Sequence, residues 1–166
     1  ARLHGRRCDH RQHPRVQGHQ QRYVRIVPDE RLQPLEVFDA VDDPIDDDPT
    51  TFWHTQWSGA SPQLPHSLTI DFGEEQELAA FTYLPRQSGS RNGTARRFEV
   101  FVMARPDATV AAAASGAFAS VMNDASPPAE QVVRFEKPLR GRYLRFVALD
   151  EISGGPWTSA AEIGVR

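Results

Sequence analysis

The sequence predicts an all-β chain, a sandwich or a barrel. Three observations carry that prediction. Apolar residues recur every second position in runs of five to eight, Gly, Pro, Asn and Asp separate the runs, and no helical periodicity is sustained over several turns. "SLTIDFG" (67–73) points Leu68, Ile70 and Phe72 inward and Ser67, Thr69 and Asp71 outward, then ends on Gly73. "RFEVFVM" (97–103) sets Phe98, Val100 and Val102 on one face. "QVVRFE" (131–136) offers Val133 and Phe135, and "RYLRFVAL" (142–149) offers Leu144, Phe146 and Ala148. The last run, "AAEIGVR" (160–166), offers Ala161, Ile163 and Val165. The one helix-favouring run, "VAAAASGAF" (110–118), is apolar all round and broken by Gly116.

A chain of 166 residues has room for one domain with a substantial core, and two independent domains are not expected. The net charge of −3 implies no general attraction to nucleic acid or to anionic lipid. That average conceals an asymmetry. Residues 1–34 hold eight arginines against three acids, whereas residues 35–50 hold seven acids and no base. Cys8 stands alone, so no internal disulfide is available. No apolar run reaches the length of a membrane span, and residues 1–22 lack the apolar segment of a secretory signal. The division falls near residue 35. Residues 1–35 read as an atypical, poorly ordered arm in which "YVRIV" (23–27) could form a short strand, and residues 36–166 read as the folded module.

Three loops have unusual content. "DDDPTTFWHTQWSG" joins dense carboxylates to a cluster of aromatics, "YLPRQSGSRNGTARR" is basic, and "LDEISGGPWTSAAE" carries a tryptophan behind two glycines. Loops distant in sequence gather at the ends of a sandwich, and function tends to sit there. Trp53 is expected in the core, and His66 is expected at the start of a strand rather than in a site.

In these loops, and in "LPHSLTIDFG", "ARRFEVFV" and "GRYLRFVAL", residues 40–166 resemble the discoidin-like domains of the coagulation factor 5/8 type C superfamily. The resemblance is closest to the family 32 carbohydrate-binding modules. It implies an antiparallel β-sandwich of about eight strands, a jelly roll of the galactose-binding-domain-like type. It further implies a non-catalytic, secreted, monomeric module within a larger chain, which brings a glycoside hydrolase or similar enzyme to galactosides. The residues matching the family's sugar contacts are His54, Trp57, Arg86, Asn92 and Trp157. Their chemistry suits a pyranose, which offers a C–H face to an aromatic and a rim of hydroxyls to fixed donors and acceptors. Trp157 would be the platform, with Trp57 closing a second side.

The resemblance also implies a structural calcium ion. Asp46, Asp48, Thr51 and Glu162 match its side-chain ligands, and oxygen donors of this kind suit that ion. Asp47 stands where the family often has glycine, so a positive φ there would have to be borne by aspartate. The first forty residues depart from the family pattern and lack its small-residue lead-in. The alternative reading is a discoidin-type adhesion or phospholipid-binding domain, which the acidic loop near residues 40–50 opposes. No metalloprotease, P-loop or nucleophile-elbow motif argues for catalysis.

Overall fold

The structure is a computed structural model that describes residues 25–27, 45, 47–55, 61–88, 91–118 and 128–166. Eight strands are described: β1 (Arg25–Val27), β2 (Trp53–His54), β3 (His66–Leu84), β4 (Arg97–Met103), β5 (Ala114–Ala117), β6 (Gln131–Ala148), β7 (Ser159–Ala160) and β8 (Glu162–Val165). One sheet runs β1-β3-β6-β4-β5 with β8 also on β3, and β2 and β7 form a two-stranded sheet. All their pairings are antiparallel. β1 pairs with Thr69–Asp71 of β3, and the reading of residues 1–35 as an arm otherwise lies outside the described residues.

The antiparallel ribbon of β3 and β6 dominates the fold. Sequence patterning ends the first strand at Gly73 and splits the second between Glu136 and Arg142, yet both strands run on. Gly73, at φ 80°, sits in a register shift between Asp71 and Gln76, and a second shift falls between Leu78 and Ala80. Pro138, which has no N–H to give a ladder, lies in the stretch of β6 without register partners between Arg134 and Leu139. These turn signals bend a continuous ladder instead of ending it.

Ring stacking shows how far the ribbon bends. Phe146 is the register partner of Leu68, near the start of β3. A straight strand at about 3.3 Å per residue would carry Phe81 about 43 Å from Leu68. Phe81 instead stacks on Phe146, with ring centroids 5.3 Å apart, and Tyr83 stacks on the same ring at 5.6 Å. The two halves of the ribbon therefore face each other across the core, and a sandwich results. The irregularity at Leu78–Ala80 also changes the inward parity, from Leu68, Ile70, Phe72 and Leu78 to Phe81 and Tyr83.

Most alternation expected from the sequence is realised. Phe98, Val100, Leu144, Phe146 and Ile163 are buried, and Trp53 joins the same core cluster. Ser67 and Thr69 differ from expectation, because both are buried rather than facing water. They lie on an interior strand, and the Arg145 side chain crosses to Thr69 Oγ1 at 3.2 Å. Residues 114–117 of the alanine-rich run form β5, a strand paired with β4. Phe146→Ala removes the ring shared by both halves and should cost about 3–5 kcal/mol in urea unfolding, whereas a loss under about 1 kcal/mol would contradict this packing.

Candidate functional site

Strand alternation through "TFWH" sends Trp53 into the core and sets Phe52 and His54 on the opposite side of the chain. Phe52 and His54 meet edge to face, with ring centroids 6.5 Å apart. Arg86 arrives from the loop after β3 and lays its guanidinium over the Phe52 ring, 3.8 Å from the centroid. Its Nε donates to Ser88 Oγ. Stacking and that hydrogen bond fix the plane of the fork. Partial burial lowers the Arg86 pKa from its ordinary value, and the side chain remains a cation.

His54 is buried, and its Nδ1 lies 2.5 Å from the carbonyl oxygen of Thr55. A carbonyl can only accept, so Nδ1 carries the proton and Nε2 presents a lone pair. The Asn92 amide points its Nδ2 toward that Nε2 at 3.4 Å. Burial, followed by the nearby Arg86 charge, lowers the His54 pKa despite the Thr55 carbonyl, so the ring is neutral at pH 7. A neutral acceptor, an amide and a guanidinium thus meet beside an aromatic ring.

Asn92-Gly93 is a turn as well as a source of side-chain chemistry. Gly93 has φ 82°, and a Cβ there would lie 2.8 Å from Ser159 N. Close contact lets Ser159 N donate to Gly93 O at 2.6 Å while Ser159 Oγ donates to Asn92 O at 2.8 Å. Beneath the loops, the buried Tyr83 hydroxyl donates to Ser159 O at 2.9 Å and accepts from Ala95 N at 3.0 Å. Burial pushes that phenol well above its usual range.

The third loop is moored at several points. Asp150 accepts from Arg96 Nη2 and Arg97 Nε, both at 2.6 Å, and hydrogen bonding from Arg96 holds its carboxyl far below the usual range. Thr158 exchanges two hydrogen bonds with Thr55, through Thr55 N to Thr158 O at 2.9 Å and Thr158 N to Thr55 Oγ1 at 3.0 Å. Trp157, the preceding residue, is half-buried with its Nε1 shielded from solvent. His66 does begin a strand; its Nε2 donates to Pro62 O at 3.1 Å and its Nδ1 accepts from Thr158 Oγ1 at 2.8 Å.

Of the five sequence-derived sugar candidates, His54, Arg86 and Asn92 are brought together, and Trp157 reaches the same end of the sandwich through the Thr55–Thr158 pair. Trp57 lies outside the described residues. Phe52 completes the cluster, and its signal was the period-two alternation that separates it from Trp53. Tyr83 and Ser159 gave no local signal, because their roles depend on residues far away in sequence.

In the acidic loop, Asp47 takes φ 62°, the left-handed conformation that glycine adopts readily. Asp48 is exposed; its Oδ1 accepts from Thr50 N at 2.9 Å and Thr50 Oγ1 at 2.7 Å, and these bonds lower its pKa. Thr51 donates through N and Oγ1 to Asp48 O, at 3.1 and 2.8 Å. Glu162 opens β8 in register with Leu84. Asp46 lies outside the described residues, among which no three His, Cys, Asp or Glu side chains converge as a metal cluster.

The F5/8 type C domain profile matches residues 39–163, and the chain belongs to that family. Family 32 carbohydrate-binding modules are among the solved structures that it resembles. One, from Clostridium perfringens and in complex with GalNAc-β-1,3-galactose, is 26% identical with a TM-score of 0.64, over 86% of this chain and 92% of that one. Another, from a family 31 glycoside hydrolase of the same organism, is 28% identical with a TM-score of 0.63, over 74% of this chain and 79% of that one. Among curated proteins, a galactose oxidase of Gibberella zeae is 39% identical over 73% of this chain and 17% of its own length. A sialidase of Micromonospora viridifaciens is 34% identical over 74% of this chain and 18% of its own. The chain thus spans under a fifth of these relatives' length.

Burial lowers the pKa of both His54 and His66 below the ordinary imidazole value of 6.5. As pH falls below that value the unfolded chain protonates first, so the stability these rings contribute is present above it and lost toward the lower folded pKa values. The melting temperature should therefore drop between pH 7.5 and pH 5.5, and His66→Gln should reduce the size of that drop; an unchanged drop would contradict the assignment.

Proposed function

We propose that the chain is a non-catalytic module that binds galactose-type glycans at the rim formed by His54, Arg86, Asn92 and Trp157. The observation that carries this reading is the cluster of His54 Nε2, the Asn92 amide and the Arg86 guanidinium on Phe52. It sets a neutral imidazole, a mixed amide and a planar donor fork within a small area, side chains suited to a ring of hydroxyls. Trp157 supplies the apolar platform for the C–H face, and Trp57 is assigned to a second side. The galactose-containing ligand of one solved neighbour and the enzymes among the curated relatives support the class of ligand. In a larger, secreted chain such a module holds an attached glycan-active enzyme near its substrate. A monosaccharide makes few contacts, so dissociation constants of about 10 μM to 1 mM are expected, with gains in avidity from tandem modules or a linked enzyme.

We also assign a structural calcium ion to Asp46, Asp48, Thr51 and Glu162. The left-handed Asp47 supports this, since it gives the loop the backbone turn that glycine provides in the family pattern. When bound, the ion would tie the acidic loop and the adjacent aromatics to the C-terminal strand, with no contact to sugar.

Two measurements test these assignments. Arg86→Ala and Trp157→Ala should each weaken lactose binding at least about tenfold, roughly 1.4 kcal/mol, with circular dichroism unchanged. Equal binding by either variant would remove that residue from the site, and phosphatidylserine-dependent liposome pelleting unaffected by galactose would favour the lipid reading instead. Calcium should raise the melting temperature and EGTA should lower it again. No response to either would end the calcium assignment.

A further inference from the structure

We infer that Glu151 and Gly155 form a positioning device for the Trp157 indole, an inference that rests on the sugar-binding role proposed for Trp157. Glu151 is a carboxylate only 2% exposed, in a loop otherwise open to solvent at Ser153 and Gly154. Its Oε2 accepts from Ser153 N at 2.7 Å and from Gly155 N at 2.9 Å, while its main-chain oxygen accepts from Gly154 N at 3.2 Å. One residue thus gathers three successive N–H groups and winds the chain into a tight turn, with Gly154 at φ 78°. The turn is fixed to the body of the sandwich by the Ala95–Glu151 bridge and by Ile152 N donating to Thr94 O at 3.0 Å.

The product of this turn is a seat for the indole. A Cβ on Gly155 would lie 2.7 Å from Trp157 Cε3 and 2.9 Å from Cζ3, so the six-membered ring rests where any side chain at 155 would stand. The obstructing atoms belong to the Trp157 side chain, not to backbone, so a methyl group there displaces the indole and spares the fold. Shielding of Nε1 shows that the ring is seated and not free in solvent. The sequence "DEISGGPW" therefore encodes an anchor, a turn and a bare surface, and the ring that follows takes its place from them. Glu151 and Gly155 act through Trp157 and are positioning residues.

The test uses the intact chain with two readouts, lactose affinity by isothermal titration and the Trp157 indole N–H resonance, identified by its loss in Trp157→Phe. Gly155→Ala should shift that resonance and weaken lactose at least about tenfold with the melting temperature near that of the parent. Glu151→Ala should do the same at reduced stability. Glu151→Gln should keep both readouts within about threefold in affinity, because one amide oxygen can still accept from both N–H groups. An unmoved resonance in Gly155→Ala overturns the positioning role, as does a moved resonance with unchanged affinity while Trp157→Ala loses binding. If Trp157→Ala itself binds lactose normally, the proposed sugar role of Trp157 fails, and the resonance still decides whether the turn seats the ring.

Discussion

Ser159 is the point on which the arrangement depends. It is fully buried, and its amide, hydroxyl and carbonyl are all committed to hydrogen bonds with residues distant in sequence. The amide and hydroxyl hold the Asn92-Gly93 turn, the carbonyl receives the Tyr83 hydroxyl, and the strand position pairs with His54. The loops carrying His54, Asn92 and Trp157 are therefore held to a common frame rather than merely lying near one another. Buried polar groups left without partners cost about 1–3 kcal/mol each, so the frame is hard to loosen one bond at a time.

The bent ribbon makes that frame possible. Turn-like residues at Gly73 and Pro138 fold β3 and β6 back on themselves, and stacked Phe81, Tyr83 and Phe146 fill the space between the halves. Tyr83 belongs to both systems. Its ring packs in the core, and its hydroxyl emerges under the loops to meet Ser159 and Ala95. Packing energy from the core is in this way coupled to the position of the loops above it.

Much of the fold was legible, because alternation survives wherever a strand has one covered face. Phe98, Val100, Leu144, Phe146 and Ile163 follow it directly. Gly73 and the segment around Pro138 were misread as ends of strands, since a residue that breaks a ladder locally gives the same signal whether the chain turns away or bends and continues. Thr69 looked solvent-facing because the arginine that reaches it lies far along the chain. Among the candidate site residues, His54, Arg86 and Asn92 were singled out through the family pattern and lie together, and Asn92 is both turn and side-chain partner. Phe52 was legible in principle from parity with His54. Glu151 was not, because a carboxylate amid polar loop residues looks solvated until its two backbone donors are seen.

The proposed rim joins an imidazole and an amide in contact, a guanidinium stacked on Phe52 and the Trp157 ring, carried on three loops, so as a common site it should respond to ligand as one unit. A nitrogen-detected titration of the labelled chain with lactose tests this most directly, following His54 Nε2, Arg86 Nε and Trp157 Nε1 together. All three signals should move along a single binding curve with one dissociation constant. Signals that stay fixed at saturation, or that follow different curves, would contradict a common site.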